Sequence, residues 1–285
     1  MRHPMIFALL ASSVLGLAGC EDSKQASVAR AIDSVKAIDQ QNMADLMLAA
    51  GDPDEAVAYF AAQVENDPEN IRNLRGLARS LVRAGRTSEA VPAWQNVINH
   101  PEATNDDRVM LADTFIRNNN WDRAEQALNA VPPTHETFDR YRLEAMVADA
   151  NKQWARADHF YETAAGLTTR PSGVYNNWGF SKLTRGNPRD AERLFTQALQ
   201  HDPDLFTAKN NLALARAGQG NYNLPIVRMT QQERAIMLYT MSIAAIRRGD
   251  ATIGRTLLQE AIDTHPQHYE EAVRAMRALE GGGRG

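Results

Sequence analysis

Four arginines recur at helical spacing in one stretch of the sequence: Arg72, Arg75, Arg79 and Arg83. Separations of three, four and four residues put all four side chains on one stripe of a helix. Like charges at this spacing repel by roughly a few tenths of a kcal/mol per pair, and an anionic ligand offsets that cost. The stripe therefore predicts a docking site for an acidic segment or a chain terminus. The alternative is a solvated face that is relieved by Asp106, Asp113 and Asp139 of neighbouring helices.

Two asparagine pairs offer a second kind of binding chemistry: Asn176 and Asn177, then Asn210 and Asn211. An amide side chain both donates and accepts hydrogen bonds, so it suits the backbone of an extended peptide whatever the peptide's side chains. The pairs therefore predict contacts to a bound peptide backbone. The alternative is that they only reflect the composition of a repeated unit.

The only cysteine, Cys20, ends an apolar segment near the start of the sequence. Residues 5–18 are almost entirely apolar or small, and this length is shorter than the roughly 20 residues of a membrane-spanning helix. A short basic start before such a segment is typical of a secretory signal. Leu17-Ala18-Gly19-Cys20 resembles the bacterial lipobox, in which the thiol is lipidated and the chain is cut just before it. We expect a signal peptide over 1–19 and a lipidated tether over 20–36, with an ordinary cleaved signal as the alternative.

Motifs for catalysis and metal binding are absent from the sequence. It lacks Gly-x-Ser-x-Gly, Gly-x-x-x-x-Gly-Lys and His-Glu-x-x-His. A single cysteine supports neither an internal disulfide nor a thiolate zinc site. The net charge of −4 gives no general attraction to nucleic acid. We expect no enzyme activity, no catalytic residues, no cofactor or metal, and no nucleic-acid or small-molecule partner.

Alanines spaced 33 or 34 residues apart indicate that the chain is built from repeats: Ala56, Ala90, Ala124, Ala157 and Ala191. A bulky apolar residue follows each of them four positions later: Phe60, Trp94, Leu128, Tyr161 and Phe195. The small residue allows two helices to approach closely, and the bulky residue fills the gap to the next unit. A hairpin of this kind cannot bury its apolar face alone, so the pattern predicts a stack of hairpins.

This pattern resembles the tetratricopeptide repeat, in which a first and a second helix form a hairpin that exits at a proline. The resemblance implies an all-α, right-handed superhelical solenoid of helical hairpins with a C-terminal capping helix. We place repeats over 37–268, starting with five regular units: 37–70, 71–104, 105–137, 138–171 and 172–205. A sixth unit is irregular near 221–234, because Leu224-Pro225 interrupts its second helix, and a seventh begins at about Ala235. A capping helix and a Gly-rich tail occupy 269–285.

The resemblance also places the candidate residues. In this family, residues 2, 5, 9 and 13 of the first helix line a concave groove, and the four arginines occupy those positions of the unit 71–104. The asparagine pairs occupy positions 5 and 6 of successive units, where peptide-binding members often bond a peptide backbone. The family therefore implies protein partners for both sets.

A longer segment resembles a more specific family. Residues 175–187, YNNWGFSKLTRGN, precede Asn210-Asn-Leu-Ala-Leu-Ala and Gly220-Asn-Tyr. Together with the lipobox they are similar to the tetratricopeptide lipoprotein of the tight-adherence, or Flp-type, pilus system. The resemblance implies an outer-membrane lipoprotein that faces the periplasm and assists the secretin in assembling the pilus machinery. The alternative is an envelope adaptor for outer-membrane protein assembly or cell-wall enzymes.

Overall fold

The computed structural model describes residues 42–282, and within that range all regular structure is helical. The all-α class and the construction from helical hairpins are therefore confirmed. Cys20, the signal peptide at 1–19 and the tether at 20–36 lie outside the described residues. The chain forms two compact units: unit 1 ends at Glu102 and unit 2 begins at Ala103.

Unit 1 contains four helices within the described range. They are α1 (residues 42–49), α2 (Pro53–Asn66), α3 (Ile71–Arg83) and α4 (Thr87–Asn99). The helix α3 packs against both α2 and α4. Asn70 fixes the start of α3, because its side chain accepts hydrogen bonds from the backbone N–H groups of Arg72 and Asn73.

Unit 2 contains the remaining helices of the described range. They are α5 (Asn105–Arg117), α6 (Trp121–Asn129), α7 (Phe138–Ala150), α8 (Trp154–Gly166), α9 (Ser172–Thr184), α10 (Pro188–His201), α11 (Phe206–Gly218), α12 (Gln231–Arg247), α13 (Ala251–Thr264) and α14 (Glu270–Gly282). Hairpins form between α5 and α6, α7 and α8, α9 and α10, and α12 and α13. The last helix, α14, packs on α13 and buries Ala272 in the same apolar cluster as Leu258.

A residue with positive φ reverses the chain between α3 and α4, α5 and α6, α7 and α8, and α9 and α10. Gly85 and Gly186 have φ of 71° and 79°, a region that costs glycine little because it has no Cβ. Asn119 and Lys152 adopt the same conformation in the turns after α5 and α7. These turns set the spacing between the two helices of each hairpin.

The alanine ladder lies in the core of both units. Ala56, Ala90, Ala124, Ala157 and Ala191 are all 0% exposed. The bulky residues one turn later are at most 3% exposed, and they are Phe60, Trp94, Leu128, Tyr161 and Phe195. The prediction that these positions form the core is confirmed.

Two glycines in first helices make room for two of those rings. A Cβ added at Gly76 would lie 2.2 Å from the Phe60 ring, and one added at Gly179 would lie 2.7 Å from the Phe195 ring. Both distances are shorter than any real Cβ contact. The aromatic ring of a second helix therefore packs directly on the backbone of a first helix.

The sixth unit has a first helix but no second helix. Residues 219–230 follow α11 without helical structure, and Leu224, Val227 and Met229 pack against the buried residues of the neighbouring helices. Val227 packs against two apolar clusters, one shared by α10 and α11 and the other by α11 and α12–α14. These side chains therefore pack the loop against the neighbouring helices.

The seventh unit begins earlier than the sequence predicts. The helix α12 starts at Gln231, four residues before Ala235, because Thr230 and Glu233 form a reciprocal capping box there. The irregular segment therefore ends at Thr230 and does not extend to residue 234. Among the described helices, none combines the length and the apolar character that crossing a membrane requires.

Replacing Gly179 with Ala should destabilise unit 2, because the added methyl group overlaps the buried Phe195 ring. Overpacking of this kind costs about 1–3 kcal/mol. Gly173→Ala is the matched control on the same helix, since a Cβ there meets nothing within 4 Å. That change should leave stability unchanged or raise it by up to about 1 kcal/mol. Equal denaturant midpoints for the two variants would contradict the packing described here.

Candidate functional site: an arginine-lined pocket in unit 1

A concave pocket of about 730 Å³ opens between α1, α2 and α3 in unit 1. Three of the predicted arginines line it, namely Arg72, Arg75 and Arg79. Amide side chains from α2, from α3 and from the turn between them line the same space: Gln63, Asn66, Asn70 and Asn73. The structure therefore brings the arginine stripe and several hydrogen-bonding groups to one concave surface, called the unit 1 pocket below.

Two of these arginines are available to a ligand. Arg72 and Arg79 are exposed, and neither side chain forms a hydrogen bond or ion pair with any residue in 42–282. Arg75 is half-buried, and its Nη2 donates to the backbone carbonyl of Glu102 at 3.0 Å. Asp45 and Asp67 also line the pocket, so three arginines and two aspartates leave one net positive charge.

Arg83 has a structural role, which corrects its assignment to the groove. Its Nη1 donates to the backbone carbonyls of Met47 and Leu48 at 2.8 Å, and its Nη2 donates to that of Gly51 at 2.9 Å. The last carbonyls of a helix have no partner within the helix, and a cation there also interacts well with the helix dipole. Arg83 therefore caps the end of α1.

The three aspartates considered as partners for the stripe have basic partners inside unit 2. Asp106 accepts a hydrogen bond from His135 at 2.8 Å. Asp113 pairs with Arg117 at 2.6 Å, and Asp139 pairs with Arg142 at 3.3 Å. Each carboxylate therefore already has a basic partner close to it.

The paired asparagines connect helices in unit 2. Asn211 Nδ2 donates to Asn176 Oδ1 at 3.0 Å, which links α11 to α9. Thr240 Oγ1 donates to Asn210 Oδ1 at 2.8 Å, which links α12 to α11. Asn177 Oδ1 accepts from Asn176 Nδ2 at 3.4 Å. Much of the hydrogen-bonding capacity predicted for a bound peptide is therefore used between helices.

A polar network around Asp158 in unit 2 was not anticipated from the sequence. The carboxylate accepts hydrogen bonds from Trp178 Nε1 at 2.6 Å, Lys182 Nζ at 2.8 Å and Arg185 Nη2 at 2.6 Å. Burial alone would raise the pKa of Asp158, but these donors outweigh burial and hold the pKa below its ordinary value. The network ties α8 to α9.

Asp149 lies beside this network, and its pKa is shifted in the opposite direction. Burial raises the pKa of Asp149, although Ser181 Oγ donates to it at 2.6 Å and Tyr161 Oη donates at 2.9 Å. Arg185 Nη2 in turn donates to Ser181 Oγ at 2.8 Å, so Asp149 and Asp158 belong to one connected set of hydrogen bonds. Every member of the set has a partner, which is typical of a structural network. Within 42–282, no cluster of His, Cys, Asp and Glu has the arrangement of a metal site.

Replacing Asp158 with Asn should lower the stability of unit 2 at pH 7, because the ion pairs to Lys182 and Arg185 are lost. Because the pKa of Asp158 is lower in the folded protein than the ordinary aspartate value of about 3.9, ionised Asp158 stabilises the folded state at pH values above about 3.9. This stabilisation is lost as the pH falls through the pKa of the folded state. The difference in unfolding free energy between variant and wild type, measured by urea melts, should therefore shrink as pH falls below about 4. Asp204→Asn, at an exposed position, is the control and should change little. A difference that does not depend on pH would argue against this role.

Comparisons with known proteins agree with the hairpin architecture. Residues 47–93 in unit 1 and residues 177–223 in unit 2 each match a model of the tetratricopeptide repeat. No curated protein sequence matches the chain. The sequence evidence for the family is therefore carried by one segment in each unit.

Solved structures resemble the chain at low sequence identity. A chain of the Cut9–Hcn1 hetero-tetramer of the APC/C aligns with a TM-score of 0.60 and 13% identity. The alignment covers 83% of this chain and 48% of the Cut9–Hcn1 chain, so this chain spans about half the length of that structure. A tetratricopeptide repeat protein from Parabacteroides merdae has a TM-score of 0.57 and 12% identity over 85% of this chain and 98% of its own. A thermophilic repeat protein from Thermus thermophilus has a TM-score of 0.53 and 15% identity over 62% of this chain and 98% of its own.

Identities this low carry the fold and not the activity. Both units are built from helical hairpins, and each unit contains one segment that matches a model of the repeat. Such stacks of hairpins are typical of non-catalytic scaffolds that bind other proteins. By its fold, this chain is an all-α stack of helical hairpins, and residues 47–93 and 177–223 match the tetratricopeptide repeat.

Proposed function

We propose that this chain is a lipid-anchored scaffold facing the periplasm, which binds an acidic segment of a partner protein and helps assemble the Flp-type pilus machinery. The binding part rests on one observation: Arg72 and Arg79 line the unit 1 pocket without a partner among the described residues. The pilus part is supported by the lipobox at Cys20 and by the family resemblance of residues 175–187.

The chemistry of the unit 1 pocket favours carboxylates. A guanidinium group keeps its charge at physiological pH and offers five N–H donors, two of which bind one carboxylate in parallel. Arg72 and Arg79 are seven residues apart on α3, which is about 10 Å along the helix axis. Two carboxylates three residues apart on an extended polyproline II segment are separated by about 9 Å. The spacing of the two arginines therefore matches a segment that carries an acidic side chain at every third position.

Amide groups in the pocket complement the arginines. Gln63, Asn66 and Asn73 line the pocket beside them. An extended segment leaves its own backbone N–H and C=O groups unpaired, and amide side chains both donate and accept. The ligand is therefore an extended acidic segment, held by its side chains at the arginines and by its backbone at the amides.

The proposed anchor explains how such a scaffold would be placed at a membrane. Lipidation at Cys20 would attach acyl chains to the N-terminus, and two lipid signals already give stable membrane attachment. We place the protein at the outer membrane, in keeping with the pilus-family resemblance. The secretin is the proposed partner, because it is the outer-membrane component that this family assists.

Replacing Arg72 and Arg79 with Glu should weaken partner binding at least tenfold. Exposed ion pairs contribute about 0.2–1 kcal/mol each, and the two new carboxylates add repulsion to the loss of two attractions. The measurement is a titration with an aspartate-rich synthetic peptide and with the periplasmic fragment of the secretin. Wild-type binding should also weaken as the salt concentration rises, because dissolved ions screen interactions between exposed charges over about 8–10 Å at physiological ionic strength.

The matched control replaces two exposed arginines of unit 2, Arg255 and Arg277, with Glu. This double variant carries the same change in charge outside the unit 1 pocket, so its affinity should stay within a factor of about two of wild type. Circular dichroism verifies that both variants are folded. Equal affinities for the two double variants would show that the pocket arginines are a solvated face.

Deleting the gene should remove Flp-type pili from the cell surface and leave the secretin unstable or misassembled. Restoring the gene with Cys20→Ser should not rescue piliation, because the scaffold would lack its lipid. Electron microscopy of the cells, secretin immunoblots and fatty-acid labelling measure these outcomes. Normal piliation in the deletion strain would reject the pilus role and favour the envelope-adaptor alternative.

A further inference from the structure

His100 joins two segments of unit 1 through both nitrogens of its ring. The residue directly follows the last turn of α4, and it is half-buried. The backbone N–H of Glu102 donates to His100 Nδ1 at 3.1 Å. His100 Nε2 lies 3.0 Å from the backbone carbonyl of Glu69, in the turn between α2 and α3. One side chain therefore connects the end of α4 to a turn 31 residues earlier in the chain.

These two partners determine which nitrogen of the ring carries a proton. A backbone N–H can only donate, so His100 Nδ1 is the acceptor and carries no proton. The proton of the neutral ring is then on Nε2, which donates to the Glu69 carbonyl. The arrangement needs the neutral ring, because a proton on Nδ1 would face the N–H of Glu102 and remove that hydrogen bond.

The segment that His100 holds also binds an arginine of the unit 1 pocket. Arg75 Nη2 donates to the backbone carbonyl of Glu102 at 3.0 Å. The peptide groups of Glu102 therefore bond to His100 on one side and to Arg75 on the other. The Glu69 end of the connection also reaches the pocket, because the adjacent Asn70 lines it. His100 is thus connected to the pocket through two routes.

Carboxylates outnumber guanidinium groups on the segments that His100 joins. The charged side chains there are Glu65 at the end of α2, Asp67 and Glu69 in the turn, Arg72 and Arg75 on α3, and Glu102 beside the ring. The helix α4 has no charged side chain after Glu89. This surplus of negative charge does not oppose proton uptake by the ring. Among the described residues of unit 1, His100 is the only histidine, the residue type whose charge changes between about pH 8 and pH 5.

We propose that His100 is a proton-sensitive latch that controls how much of the Arg75 guanidinium is offered to a ligand of the unit 1 pocket. Proton uptake at Nδ1 breaks the hydrogen bond to the Glu102 N–H, while Nε2 still donates to the Glu69 carbonyl. The Glu102 peptide then turns away from the ring, and Arg75 Nη2 loses its carbonyl acceptor. The gain for a carboxylate ligand is one donor, because Arg75 keeps its remaining interactions.

This inference rests on the proposed function of the unit 1 pocket and gives it a direction with pH. Aspartate side chains of a ligand stay ionised down to about pH 5, because their ordinary pKa is about 3.9. Arginine keeps its charge over the whole range. An acidic ligand should therefore bind more tightly as the pH falls from about 8 to about 5.5, the range in which histidine gains a proton.

The latch itself is tested without a ligand, by NMR of the complete mature protein labelled with nitrogen and carbon isotopes. At about pH 8 the His100 ring should be in the Nε2–H form, which the shifts of its two nitrogens distinguish from the Nδ1–H form. As the pH falls to about 5.5, the Glu102 amide and carbonyl resonances should shift with the same midpoint as the ring. An Nδ1–H ring at the higher pH, or Glu102 resonances that do not follow the ring, would overturn the proposal.

The consequence for binding is tested with the aspartate-rich synthetic peptide. Wild-type affinity should rise about threefold or more from about pH 8 to about pH 5.5. His100→Gln should remove this rise, because glutamine offers an acceptor and a donor but takes up no proton. His201→Gln is the matched control, since His201 also ends a second helix but is exposed and stacks on Tyr175 in unit 2. That variant should keep the pH dependence of wild type.

The two measurements separate failure of the latch from failure of the pocket. The same pH dependence in both histidine variants would show that His100 does not control binding and would overturn the latch. Absence of peptide binding at every pH would instead reject the proposed function of the pocket, and the ring and Glu102 resonances would still decide whether the latch opens. Circular dichroism verifies that each variant is folded.

Discussion

The close contact between an aromatic ring and a helix backbone determines the geometry on which the other features depend. Phe60 packs on Gly76 and Phe195 packs on Gly179, at distances that leave no space for a methyl group. Fully buried alanines one turn earlier allow the paired helices to approach equally closely. Because these contacts fix the spacing of neighbouring helices, they also place Arg72 and Arg79 on one side of a pocket and align α9, α11 and α12.

The sequence predicts the parts of the fold that repeat. Ala124 and Ala157 mark equivalent contacts because every hairpin must bury the same face, so the period alone identifies core positions and first helices. The placement of Arg72, Arg75 and Arg79 on one concave surface follows from the same periodicity. Fold class and the shared helix face of these arginines are therefore accessible from residue spacing, whereas their assignment to a groove depends on the family resemblance.

Features that depend on single pairs of side chains are not accessible in that way. Arg83 occupies a groove position by spacing, yet it reaches the carbonyls at the end of α1, 32 to 36 residues away. The bonds of Asp158 and the connection from Asn211 to Asn176 likewise depend on the exact offset between two helices. Such bonds need distances that a periodic pattern does not contain. The early start of α12 differs, because the Thr230 and Glu233 capping box is visible in the sequence.

The loop at residues 219–230 has a consequence for how unit 2 unfolds. In a linear array, each element gains most of its stability from its immediate neighbours, so unfolding spreads from hairpin to hairpin. At the sixth unit, the contact between neighbouring elements consists of the packing of α11 on α12 and of a few loop side chains such as Val227. Ala213 and Ala217 of α11 nevertheless share one buried cluster with Met237 and Leu258, so α12–α14 stay coupled to α11 although the second helix of the sixth unit is missing.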